Sequence, residues 1–381
     1  MRRIVCFSFL SVLLFLSVSC SNKQSTKDSN EIYVDFENGS PIEVNSEDDL
    51  FNYSNYLDTV IYVQLETSDD CLIGNISDSH IVNDRIFVSA DYKSVFVFDL
   101  NGNLISKVSK KGRGHGEYGK LAWFDVNPSN NEISIYDVTS NRILVYSVEG
   151  DFLRQFTFEH ITRDFCVLPN GNYLFYTPDY IENHFRGVWQ TDPEGNFINQ
   201  PLVLSGSARQ DVGENHYLMH INKNVVGVMG PMGFDSIYHI SADTSEVAYQ
   251  IKINLSIARN VLEGEFEGSI FDQQIYNLLG YTETEELVSF MLTDMKQSMQ
   301  VKYDKSTGKV YTSVNKGDYP FLPGDKVQLS LEPRRTDYGV GLGFITADII
   351  MNLPGDLRNK ISPECTIDSN PVVALYYFKH K

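Results

Sequence analysis

The chain has 381 residues, of which 42% are hydrophobic, and a formal net charge of −19. That balance supplies a large core and excludes a broad basic surface for nucleic acid or anionic lipid. The 22 Tyr and 23 Phe favour pleated, half-buried surfaces, so the composition leans towards β structure.

Residues 1–19 carry Arg2 and Arg3, an apolar run and then small residues, the layout of a secretory signal whose apolar part is short for a membrane span. Ser19-Cys20, followed by SNKQSTKDSNE, resembles the bacterial lipoprotein pattern, which implies lipidation at Cys20. Residues 20–54 are expected to form a tether and lead-in, polar and structureless over 21–31. The remaining cysteines, Cys71, Cys166 and Cys365, are widely spaced. They suggest small buried side chains, or at best one disulfide with one left over.

Residues 55–381 read as repeats of one β unit. RIFVSADYKSVFVFDLNGNLISKV from Arg85 and EISIYDVTSNRILVYSVEGDFLRQF from Glu132 share a plan of strand, acidic turn, strand, tight turn, strand. Looser copies start at Asn172, Val225 and Glu286. The turn glycines 102, 150 and 195 stand 48 and 45 residues apart (150 − 102; 195 − 150), close to the length of a propeller blade. Both faces of a blade are covered by its neighbours, so a run such as Val95-Phe96-Val97-Phe98 need not alternate with polar residues. Residues 255–281 break the strand pattern and are expected to be a helical insertion. The opening strand TVIYVQLET, Thr59 to Thr67, is expected to pair with the C-terminal strand in PVVALYYFKHK and remove the free edges. The fold expected is therefore an all-β, six-bladed propeller of four-stranded antiparallel blades.

The stretch KKGRGHGEYGK, Lys110 to Lys120, contains G-x-G-x-x-G. A dinucleotide loop needs a helix after the glycines, whereas LAWFDVNPSNNEISIYD reads as strand and turn. The glycines suit a crossover between blades, where positive φ and close backbone approach are required. Such loops flank the channel mouth, which makes Arg113, His115, Glu117 and Tyr118 candidate ligand contacts. Arg163, Asp164 and His184 are further candidates for groups converging near the axis. His216 and His220 lie i, i+4, but in a strand that spacing is about 13 Å and does not share an ion. No catalytic motif stands out; no metal and no cofactor is expected.

The segment ISIYDVTSNRILVYSVEGDFL resembles an NHL repeat. With the lipoprotein-like start, the opening strand and the KKGRGHGEY loop, the chain resembles the six-bladed propeller lipoproteins of Gram-negative bacteria, NHL-like or TolB-like. The resemblance implies a fold and an address: an outer-membrane lipoprotein, attached to the membrane only through Cys20, on the periplasmic side in preference to the cell surface. The function expected is non-catalytic binding of a glycan, peptide or envelope protein. The alternatives are a lyase or hydrolase at the channel, possibly metal-dependent, and a scaffold in an envelope complex.

Overall fold

A computed structural model describes residues 30–34, 51, 55–177, 184–204, 216–230, 235–241, 244–253, 277–293, 298–314 and 335–379. The signal segment, Cys20 and most of the tether lie outside them. Six sheets make up the described part, each a blade, and their inner strands follow one another around one axis.

Strand β1 (Asn30–Val34) belongs to blade 4, and β2 (Leu57–Gln64) to blade 6. Blade 1 runs outward through β3 (Ile76–Val82), β4 (Arg85–Ala90), β5 (Ser94–Asp99) and β6 (Leu104–Val108). Blade 2 is β7 (Leu121–Val126), β8 (Ile133–Asp137), β9 (Arg142–Tyr146) and β10 (Phe152–Thr157). Blade 3 is β11 (Asp164–Val167), β12 (Tyr173–Thr177), β13 (Gly187–Thr191) and β14 (Phe197–Val203). Blade 4 is β15 (Leu218–Asn222), β16 (Val225–Met229), β17 (Ser236–Ile240) and β18 (Ser245–Ile253). Blade 5 is β19 (Asn277–Glu283), β20 (Leu287–Thr293), β21 (Ser298–Asp304) and β22 (Val310–Val314). Blade 6 is β23 (Arg335–Asp337), β24 (Val340–Ile345) and β25 (Val372–Phe378), completed by β2.

Closure is antiparallel, from Leu57 opposite Phe378 to Gln64 opposite Val372. Strand β2 is thus the outer strand of the last blade, and the ring has no open edge at that seam. Asn370 locks it further: its side chain donates to Glu66 O and Cys71 O and accepts from the Ile73 amide.

The core lies between blades. In β5, Val95 and Val97 pack towards blade 2, while Phe96 and Phe98 pack towards blade 6. Both faces of the strand are therefore dry, which is why its sequence does not alternate. The tight turns behave as their sequences suggest: Asp99 accepts the amides of Asn101 and Asn103, and Asp192 accepts those of Glu194 and Asn196.

Two expectations need correction. The lead-in is not wholly structureless, because β1 pairs parallel with β18 and buries Ile32 and Val34 against blades 4 and 5. The end of the expected helical insertion is strand: β19 begins at Asn277, and a bulge between Leu279 and Thr282, with Gly280 at φ +62°, hides its period. Residues 254–276 lie outside the described residues. The helices that are described fall between β24 and β25, as α1 (Ala347–Met351) and α2 (Gly355–Ile361), which bury Ile350, Leu357 and Ile361 against blade 6. None of Cys71, Cys166 and Cys365 forms a disulfide, and all are buried. Among the described residues no helix is long and apolar enough to cross a membrane.

Candidate functional site

An inner strand has a sheet partner on one side only, so its other row of amides and carbonyls faces the axis. Those groups must find partners. Carboxylates from the preceding blade supply several. Asp337 at the end of β23 accepts from the Ile81 amide of β3. Asp125 of β7 accepts from the Val167 amide of β11 at 2.6 Å. Asp164 of β11 accepts from the amides of Tyr217 and Leu218, at 2.7 and 2.9 Å. Each clip joins one blade to the next around the axis.

Three imidazoles meet these acids. His80 Nε2 lies 3.0 Å from Phe124 O, and a carbonyl only accepts, so Nε2 carries a proton. Its Nδ1 lies 3.3 Å from Asp125 Oδ1 and 3.4 Å from Asp337 Oδ2. A bare lone pair aimed at two carboxylates would be repelled, so the geometry favours the imidazolium. His220 Nε2 is 2.8 Å from Asp125 Oδ2, and its ring stacks on Tyr338 with centroids 5.0 Å apart. The Tyr338 amide also donates to His220 O, so blades 4 and 6 touch across the axis. At this level polar side chains fill the channel.

His216, on the connection into β15, is 3.1 Å from Asp78 Oδ1 and 3.6 Å from Asp164 Oδ1. Burial pulls its pKa down, but the Asp78 and Asp164 carboxylates outweigh that and raise it to about 9. Burial likewise works against the Asp78 carboxylate, yet His216 and His80 hold it well below the usual carboxylate range. Trp123 stands edge-on to His216 with ring centroids 4.7 Å apart. Asp78, Trp123, Asp164 and His216 sit at the entrances of inner strands, the face that also carries the crossover loops. His216 is 22% exposed there and Trp123 is half-buried, so this end forms the mouth.

Of the seven candidates named from sequence, Asp164 joins the axial cluster. Arg113 and His115 are exposed on the Lys110–Lys120 loop, and His115 packs edge-on against Phe152. Glu117 turns inward to accept the Gly114 amide at 2.7 Å. Tyr118, expected at a binding mouth, is fully buried between blades 1 and 2, with its hydroxyl donating to Lys93 O. Its ring is core and closes the loop over it; the Gly112 amide donates to Tyr118 O and the Tyr118 amide to Lys110 O. Arg163 is exposed on the β10–β11 crossover. His184 accepts from the Ile161 amide on the same crossover and faces His160.

His216 and His220 address different carboxylates, in keeping with their extended spacing. His220 instead meets Asp125 and Cys166, a trio in which one atom from each residue lies within 4.8 Å of the others. Sequence reading missed His80, Asp78, Asp125 and Asp337, and considered His220 only as a partner of His216. The signal available was one or two ionisable residues inside each of these inner strands.

Fold and site together define a six-bladed β-propeller with a polar, carboxylate-clipped axis. The chain belongs to the family described as "Domain of unknown function (DUF4934)", whose model matches residues 39–377. It is similar in fold to a Bacteroides fragilis protein thought to be exported, with 17% identity and a TM-score of 0.68 over 92% of this chain and 100% of that one. A member of the DUF4221 family from Bacteroides vulgatus matches at 9% identity and a TM-score of 0.47, over 85% and 97% of the two chains. No curated protein matches the chain.

Proposed function

We propose that this protein is an exported, lipid-anchored binding propeller of the outer membrane, NHL-like in its repeats, which takes a glycan or peptide at the axial mouth. The observation that carries this is the Trp123–His216 pair, a half-buried aromatic face beside an imidazolium fixed by two buried carboxylates. A flat indole stacks on a sugar or an apolar side chain. His216 is already matched by the Asp78 and Asp164 carboxylates, so the ligand class that fits best is a neutral oligosaccharide or a peptide that presents no acidic side chain to the mouth. The secretory segment, Cys20 and the fold of the exported-type Bacteroides protein support the address. Catalysis at the trio is not favoured, because Asp125, Cys166 and His220 are at most 2% exposed and leave no room for a substrate.

The chain has 2 Trp, and Trp189 is 1% exposed, which makes Trp123 the fluorescent reporter of the mouth. Titration with neutral oligosaccharides and with peptides should give a saturable change that Trp123→Phe removes and His216→Gln weakens at least tenfold. A folded protein whose fluorescence is unmoved by both ligand classes overturns the reading. A stoichiometric protein that co-purifies and survives Trp123→Phe would place the chain as a scaffold.

A further inference from the structure

We propose that the axis also holds one divalent ion of the zinc class, bound by the Asp125 carboxylate, the Cys166 thiolate and His220 Nε2. This site is separate from the mouth and does not rest on the binding reading above. Its three side chains come from β7, β11 and β15, the inner strands of three successive blades, and their ligand atoms lie within 4.8 Å of one another. Around a tetrahedral ion with bonds of about 2.0–2.3 Å, ligand atoms stand roughly 3.5 Å apart, so small side-chain shifts bring the three ligands onto one ion, whose fourth position a water would take.

Donor chemistry selects the ion. Thiolate, imidazole and a single carboxylate suit zinc or cobalt, whereas magnesium and calcium take oxygen ligands. An outer layer is already in place. The Val167 amide donates to Asp125 Oδ2, and His80 faces Asp125 Oδ1 from the opposite side, so the carboxylate is held in one orientation.

A cysteine at this position also serves as apolar filler, since Cys166 packs with Leu174 and Val188. Filling does not account for a sulfur within reach of both members of a buried carboxylate–imidazole pair, where a valine or alanine would serve as well. On binding, the thiol gives its proton to solvent as the sulfur–metal bond forms, and the proton that His220 Nε2 holds against Asp125 leaves or moves to Nδ1 as the nitrogen–metal bond forms, so affinity falls as pH is lowered. With all three ligands nearly inaccessible, the ion braces blades 2, 3 and 4.

The test uses the full chain, stripped with a chelator and titrated with cobalt(II). One equivalent should produce the visible bands of a tetrahedral ion and a near-ultraviolet thiolate-to-cobalt band, both displaced by zinc. Cys166→Ala should lose the thiolate band, while Cys71→Ala and Cys365→Ala keep it. Stripping should lower the melting temperature, and zinc should restore it. Folded wild-type protein that gives no thiolate band with cobalt overturns the proposal, and that result needs no variant. A band that persists in Cys166→Ala does the same. Should Cys166→Ala not fold, Cys166→Ser gives the same comparison.

Discussion

His216 Nε2 stands 3.1 Å from Asp78 Oδ1, so the chain entering blade 4 is ion-paired to the first strand of blade 1, across the mouth. The pairing dictates a pH dependence. The His216 pKa is raised to about 9, so its stabilisation is complete below the ordinary histidine value near 6.5 and is lost as pH rises through about 9. The Asp78 pKa is depressed, so its stabilisation is present above the ordinary carboxylate value and is lost on acidification. With His216 partly exposed and screened by solvent, its share is on the order of 1–3 kcal/mol. Urea melts at pH 7 and pH 10 should show the wild type losing about that much more stability than His216→Gln. Equal losses in the two proteins would show that the pair does not form in solution.

Asp125 joins three elements, through the Val167 amide, His220 and His80. Removing it strands an amide and takes one of the counter-charges from His80. Breaking a buried ion pair of this kind costs about 3–5 kcal/mol. Asp125→Ala is therefore expected to be among the most destabilising single changes in the chain. Asp99→Ala, at an exposed hairpin turn, should cost much less even though it also loses several hydrogen bonds. Chemical denaturation of both variants checks the contrast, and similar losses would argue against the clip.

The blades were legible because their signals are local. Asn101-Gly102, Glu149-Gly150 and Glu194-Gly195 announce hairpins within a few residues, and the glycines take φ values of +85°, +92° and +89°. Closure could be read because TVIYVQLET and PVVALYYFKHK are each a strand lacking a sheet. The axis was not legible, because it is assembled from single residues far apart in sequence. Asp78 to Asp125 is 47 positions (125 − 78) and Asp125 to Asp164 is 39 (164 − 125), and nothing next to any of them marks it as converging with the others. Reading the crossover glycines as packing devices identified their job, but it drew Tyr118 towards the mouth when its aromatic ring is what the loop folds over.

That loop gives a further prediction. Gly116 has φ +69°, and a Cβ there would stand 2.7 Å from Phe152 Cγ. Its carbonyl also accepts the Tyr146 hydroxyl. Gly116→Val should destabilise by about 2–4 kcal/mol, through a left-handed backbone and a clash with a core ring. Arg113→Ala with His115→Ala should shift the melting temperature little, because both side chains are exposed. Tyr118→Ala, which empties a fully buried aromatic position, should cost about 3–5 kcal/mol. A Gly116→Val protein that melts with the wild type would show that the loop relaxes freely and is not part of the blade 1–blade 2 joint.

A second buried acid sets the acid limit. Glu283, at the end of β19, accepts from Tyr249 at 2.9 Å, from Lys305 at 2.5 Å and from Tyr281, and is 3.0 Å from His239 Nε2. Burial opposes its charge, but the His239 contact and the Lys305 ammonium prevail and bring its pKa down to about 2. A depressed carboxylate stabilises fully above its unfolded value and loses that contribution as pH falls towards its folded one. The window is therefore about pH 4.5 to 2, and the amount at stake is about 3 kcal/mol. Glu283→Gln keeps the shape and removes the charge, leaving Lys305 and His239 without their counter-ion. It should be less stable than the wild type at pH 7, and its stability should fall less steeply between pH 5 and pH 2.5. If both proteins lose stability at the same rate over that range, Glu283 does not carry the charge that its four donors imply.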